Sequence, residues 1–114
     1  MTTKAIWISY DLGIKGDYPN LYAWLDNHEA KEAGNSIAFL NYKFNGKDDQ
    51  LLTILKKDLI KSVNFKPGDR IYVMRMRNED GVNKVSGRFI IGNRKASPWE
   101  GYGQKGEDII DGDE

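Results

Sequence analysis

With no cysteine and a single histidine, His28, the 114-residue chain has little to do chemistry with beyond carboxylates and guanidinium groups. A thiolate metal site, a cysteine nucleophile and a histidine-based triad all fall away, and neither a phosphate loop ending in Lys and Ser/Thr nor a dinucleotide fingerprint is present. What remains is hard-oxygen chemistry, in which a carboxylate holds Mg²⁺ or Mn²⁺ beside phosphates and waters. Asp11 is the best-placed carboxylate. It ends the run Ile6-Trp7-Ile8-Ser9-Tyr10 and precedes a loop containing Gly13, where a rigid strand presents a side chain at a sheet edge. The same position suits a loop cap, with the carboxylate accepting the N–H groups of Leu12 to Ile14. His28 reads as a surface residue near a helix end.

Guanidinium and ammonium groups gather later in the chain. From residue 70 to 95, Arg70, Arg75, Arg77, Lys84, Arg88, Arg94 and Lys95 stand against only Glu79 and Asp80. Arg75 and Arg77 share a strand face and Arg88 lies on the next strand. These three, with Arg94 and Lys95, are the candidates for holding RNA or DNA phosphates, and Tyr72 or Trp99 is available to stack on bases. A solvated hairpin with cross-strand pairs such as Glu79 with Lys84 accounts for the same charges without a ligand.

The elements that position these groups follow from periodicity. A strand over about Lys4 to Asp11 is apolar on both faces, as a central strand is. Pro19 opens a helix reaching His28, with Leu21 and Leu25 at core spacing. Polar residues 29–36 hold the turn pair Gly34-Asn35, with room for a short strand before it. Ser36 to Phe44 alternates as a strand and ends at Asn45-Gly46. Asp48 or Asp49 then caps a helix through Ser62, with Leu52, Leu55, Leu59 and Val63 facing the core. Arg70 to Arg77 and Lys84 to Gly92 form a hairpin closed at Asp80-Gly81. This order predicts an α+β domain with both helices on one face of an antiparallel sheet.

Composition bounds the rest. Apolar residues make up 39% of the chain and charged residues 30%, enough for one folded domain. The N-terminus has no signal-peptide pattern and no stretch approaches the roughly 20 apolar residues of a membrane span, so the expectation is a soluble, cytoplasmic protein with no membrane association. The formal net charge of zero hides an asymmetry: without the five acids of residues 107–114, the body holds 17 basic and 12 acidic residues, or +5. A basic body with an acidic tail suits a polyanion, the tail competing for the same surface; such a tail also serves solubility.

Two segments resemble a known group, the CRISPR-associated adaptation subunit once described as an endoribonuclease and its VapD and SinR-like relatives. Ile8-Ser9-Tyr10-Asp11-Leu12 resembles that family's first-strand end, and Asn35-Ser36-Ile37-Ala38-Phe39 resembles its strand after the turn. Asp17-Tyr18-Pro19-Asn20-Leu21-Tyr22 is most similar to the first-helix opening of the SinR-like branch. The resemblance implies a ferredoxin-like fold with a sheet of four or five strands, a homodimer packed through the last strand or the Trp99 arm, and Asp11 as both metal ligand and catalytic carboxylate. It does not extend to the arginine-rich first helix of the CRISPR-associated branch, because residues 19–30 contain no Lys or Arg.

The expected layout is a ferredoxin-like domain over residues 1–95, an extended Trp/Gly arm over 96–106 and an acidic disordered tail over 107–114. Two functions stay open. One is a small dimeric nucleic-acid-associated protein acting as an endonuclease with Mg²⁺ or Mn²⁺ at Asp11. The other is a non-catalytic antitoxin-like, regulatory or structural module binding nucleic acid or a protein partner.

Overall fold

Residues that alternate between two environments begin the fold. In the first strand, Ile6 and Ile8 are fully buried while Trp7 and Ser9, on the reverse side, are half-buried. The computed structural model describes residues 1–103, in the order β1 (Thr2–Asp11), α1 (Tyr18–Asn27), β2 (Lys31–Glu32), β3 (Ile37–Phe44), α2 (Leu51–Ser62), β4 (Arg70–Glu79) and β5 (Val82–Ile91). The strands form one sheet in the order β2-β3-β1-β4-β5, each neighbouring pair antiparallel. β1 is the central strand, as its two apolar faces require. The protein has the α+β, ferredoxin-like fold. Among the described residues no helix is long and apolar enough to cross a membrane. The expected acidic tail, residues 107–114, and the last part of the arm, 104–106, lie outside the described residues.

Both helices cover one face of the sheet. The core joins Ile6 and Ile8 of β1, Ala38, Leu40, Tyr42 and Phe44 of β3, and Ile71 and Val73 of β4 to Leu21, Trp24 and Leu25 of α1 and Leu51, Leu55 and Leu59 of α2. Each large aliphatic side chain buried in this way contributes about 1.5–3 kcal/mol.

Helix ends depart from the sequence expectation in two places, for local reasons. Asp48–Gln50 forms a single 3₁₀ turn in place of an aspartate cap, and the Gln50 side chain accepts the Lys47 N–H at 2.8 Å, so α2 starts at Leu51. Asp48 is drawn elsewhere: its carbonyl accepts from Arg75 Nη1 at 3.0 Å and its carboxylate lies 3.4 Å from Lys4 Nζ. His28, expected on the surface, caps α1 and stacks on Trp24 at 4.0 Å, with Nδ1 2.8 Å from the Trp24 carbonyl oxygen. The nearby Tyr42 hydroxyl donates to Asp58 at 2.9 Å, and burial together with this bond pushes its phenol upward.

Among the described residues no helix lies on the other sheet face. Pairing across the sheet sets Trp7 opposite Phe39 and Met74, and Ser9 opposite Ile37 and Tyr72, while Met74 lies opposite Gly87 and Met76 opposite Val85. Trp7 and Phe39 pack with ring centroids 5.0 Å apart. Met76 and Val85 are exposed.

Candidate functional site

Asp11 ends β1 on this uncovered face, directly opposite Arg70, the first residue of β4. The expected loop cap is present, but a different aspartate provides it. Asp69 is only 3% exposed; its Oδ1 accepts the Gly13 N–H at 2.9 Å and its Oδ2 the Lys66 N–H at 2.8 Å. Asp11 is thereby left to pair with Arg70, whose Nη2 and Nε both donate to the Asp11 Oδ2, at 2.7 and 3.2 Å. The Asp11 side chain is 58% exposed and that of Arg70 23%. Sequence reasoning missed Asp69; its place directly after Pro67-Gly68, where a short carboxylate bonds nearby backbone N–H groups, was the available signal.

A register shift brings a second basic group to the same place. Ile71 pairs with Ile91 but Tyr72 pairs with Phe89, so Ile90 is the extra residue of a bulge, which bends the strand. Beyond β5 the chain turns at Gly92, at φ +75°, where a Cβ would meet the Asp69 carbonyl oxygen. That turn brings Arg94 back over the hairpin, 5.5 Å from the Tyr72 ring centroid and 5.4 Å from that of Phe89. Arg70 lies 5.5 Å from the same Phe89 centroid. Ser9, Asp11, Arg70, Tyr72, Phe89 and Arg94 enclose a cavity of about 260 Å³.

Gly87 gives Tyr72 room to lie across β5, since a side chain there would collide with the Tyr72 ring and hydroxyl. Gly87→Val is expected to expel that ring and destabilise the domain by about 1–3 kcal/mol. Urea unfolding reads the stability, and loss of near-ultraviolet tyrosine dichroism reads the displaced ring.

The other basic residues lie on the opposite, helix-side face of the hairpin. Arg75, Arg77 and Arg88 line a cleft of about 250 Å³ beside the start of α2, with Asp49, Leu52, Thr53 and Ser86. Arg75 has only 9% of its side chain exposed, its Nε has no hydrogen-bond partner, and burial pushes its guanidinium pKa downward despite Asp48 at 3.8 Å. Arg77 lies 3.5 Å from Glu79, and Lys84 makes the cross-strand contact with Glu79 at 3.7 Å. The sequence candidates are thus divided by the sheet: Arg75, Arg77 and Arg88 come together on one side, Asp11 and Arg94 on the other. Lys95 is exposed next to Arg94 and lines neither cavity.

A divalent cation at Asp11 can be tested against these donors. The carboxylate is held by a guanidinium, a second guanidinium lines the same cavity, and among the described residues no other carboxylate lines it. Among the described residues no group of three His, Cys, Asp or Glu side chains is arranged to hold a metal. The donors that one copy of the chain brings to Asp11 do not fit Mg²⁺ or Mn²⁺, because the local positive charge repels a cation. No family model, no curated protein and no solved structure matches the chain.

Proposed function

We propose that the protein is a homodimeric nucleic-acid-binding module, in which a second copy covers the apolar part of the open sheet face around Trp7, Phe39 and Met74, and the Arg75–Arg77–Arg88 cleft takes phosphates. The observation that carries the nucleic-acid reading is the cleft itself, with three guanidiniums, the hydroxyl residues Thr53 and Ser86, and a single carboxylate, Asp49. Buried Arg75 supplies fixed charge at the cleft floor, while exposed Arg88 and half-exposed Arg77 are the groups able to reach a backbone. Phosphate contacts of this kind give affinity without sequence preference and weaken steeply with salt. The dimer reading rests on Trp7, Phe39, Met74, Met76 and Val85, an apolar surface with no helix over it. The unpaired edge of β5 and the exposed Trp99 and Tyr102 add further contact area.

Fluorescence anisotropy with short RNA and DNA, in single and double strands and over a salt series, tests the cleft. Replacing Arg77 and Arg88 together by Gln is expected to weaken binding by about tenfold or more and to reduce the salt slope by about 2, equally for all sequences. Absence of binding at low salt in the intact chain removes the reading. The rival is cleavage. Incubating the same strands with Mg²⁺, Mn²⁺ or chelator, with Asp11→Asn alongside, reads it directly, and cleavage lost in the variant would establish Asp11 as a catalytic residue.

A further inference from the structure

The Asp11 cavity holds two guanidiniums and one carboxylate, and the way the three are held differs. Arg94, though exposed, lies over the Tyr72 and Phe89 rings and makes a long, 3.4 Å contact from its Nη2 to the Tyr72 hydroxyl. Among the described residues it has no carboxylate partner. Arg70 is steadied by the same Phe89 ring, and both of its hydrogen bonds to Asp11 fall on one oxygen, Oδ2. Two cations therefore lie against a shared aromatic ring, while the only carboxylate beside them among the described residues belongs to the more solvent-accessible side chain of the ion pair. An exposed ion pair of this type is worth only about 0–1 kcal/mol, so the carboxylate leaves at little cost.

We infer that this cavity is an oxyanion site for a phosphate monoester, and that Asp11 is its resident stand-in, a side-chain carboxylate occupying part of the place of the ligand. A monoester carries about −1.5 to −2 charges at pH 7 and three acceptor oxygens, which matches two guanidiniums once Asp11 turns away. A phosphodiester, with one charge, gains less from displacing a carboxylate that already satisfies Arg70. Free phosphate, a nucleoside 5′-monophosphate and the phosphorylated end of a strand all present this group. The site is separate from the Arg75–Arg77–Arg88 cleft and does not depend on it.

Isothermal titration of the full chain with inorganic phosphate, a nucleoside 5′-monophosphate, the parent nucleoside, and short strands with and without a 5′-phosphate distinguishes these sources. Binding of at least one phosphorylated compound is expected, with none for the parent nucleoside and, between strands, tighter binding of the one that carries the 5′-phosphate. Asp11→Asn should tighten that binding by about tenfold, whereas Arg94→Gln and Arg70→Gln should each weaken it by about tenfold or more. Circular dichroism checks that each variant is folded. The gain in Asp11→Asn is the discriminating sign, because a carboxylate that held a metal or the loop would give a loss. Arg77→Gln with Arg88→Gln should leave phosphate binding unchanged, so failure of the nucleic-acid reading and failure of this one are separable. The inference is overturned by no heat with any phosphorylated compound in either the wild-type chain or Asp11→Asn, by equal binding of nucleoside and monophosphate, or by affinity that ignores Arg94→Gln.

Discussion

Asp69→Ala is expected to cost about 3 kcal/mol of stability, more than any other single change in the loops around the cavity. The side chain is 3% exposed and holds two backbone N–H groups from segments far apart in sequence, Gly13 and Lys66. Alanine leaves both donors without a partner. A hydrogen bond to a charged group is worth about 1.5–3 kcal/mol, and a buried donor left unsatisfied carries its own desolvation cost, so two together reach about 3 kcal/mol after local relaxation. At about 4–8 °C per kcal/mol for a domain near this size, the melting temperature should fall by about 12–24 °C. Urea unfolding followed by circular dichroism measures it. Asp69→Asn keeps one acceptor oxygen and should lose roughly half as much. A loss below about 1 kcal/mol for Asp69→Ala would mean that water takes over these bonds.

The second large effect concerns assembly. Trp7→Glu should turn the proposed dimer into a monomer while leaving the fold intact, raising the dissociation constant by about 100-fold or more, equivalent to about 3 kcal/mol. Trp7 packs on Phe39 at the middle of the open face, and the residues before and after it, Ile6 and Ile8, serve the core from the other side of β1. A charge there desolvates badly against Met74 and Phe39 but has water to face in the single chain. Sedimentation velocity over a concentration series, with circular dichroism as the check on folding, gives the result. A wild-type chain that remains monomeric at hundreds of micromolar removes the dimer reading.

Much of the fold could be read from local pattern. The alternation of Ile6 and Ile8 with Trp7 and Ser9, the Asp80-Gly81 turn, the leucine spacing of α1 and the antiparallel two-layer arrangement each follow from short-range rules, and the structure has them, whereas in α2 the core stripe takes Leu51 with Leu55 and Leu59 and leaves the expected Leu52 only partly buried. Strand period also put Arg75 and Arg77 on one face, whereas Arg88 joins them through the hairpin register that sets it opposite Val73. What pattern could not supply was competition among side chains for the same partners. Asp48 is a good cap by type, yet buried Arg75 claims its carbonyl. Asp11 is equally good as a loop cap, yet Asp69, 58 residues later, reaches the Gly13 N–H. The return of Arg94 onto Tyr72 depends on a bulge and on the turn at Gly92, and neither is marked by periodicity.

The neighbouring residues Asp69 and Arg70 separate two jobs that a single carboxylate would otherwise combine. Because the buried Asp69, and not Asp11, holds the Gly13 N–H in the loop after β1, the exposed Asp11 carries little of the folding free energy. Its position can therefore accept neutral, smaller or oppositely charged side chains while the strand and loop beneath it stay in place. The cavity is a point at which selectivity can diverge among descendants of this chain, or be altered by design, without first adding stability elsewhere to compensate.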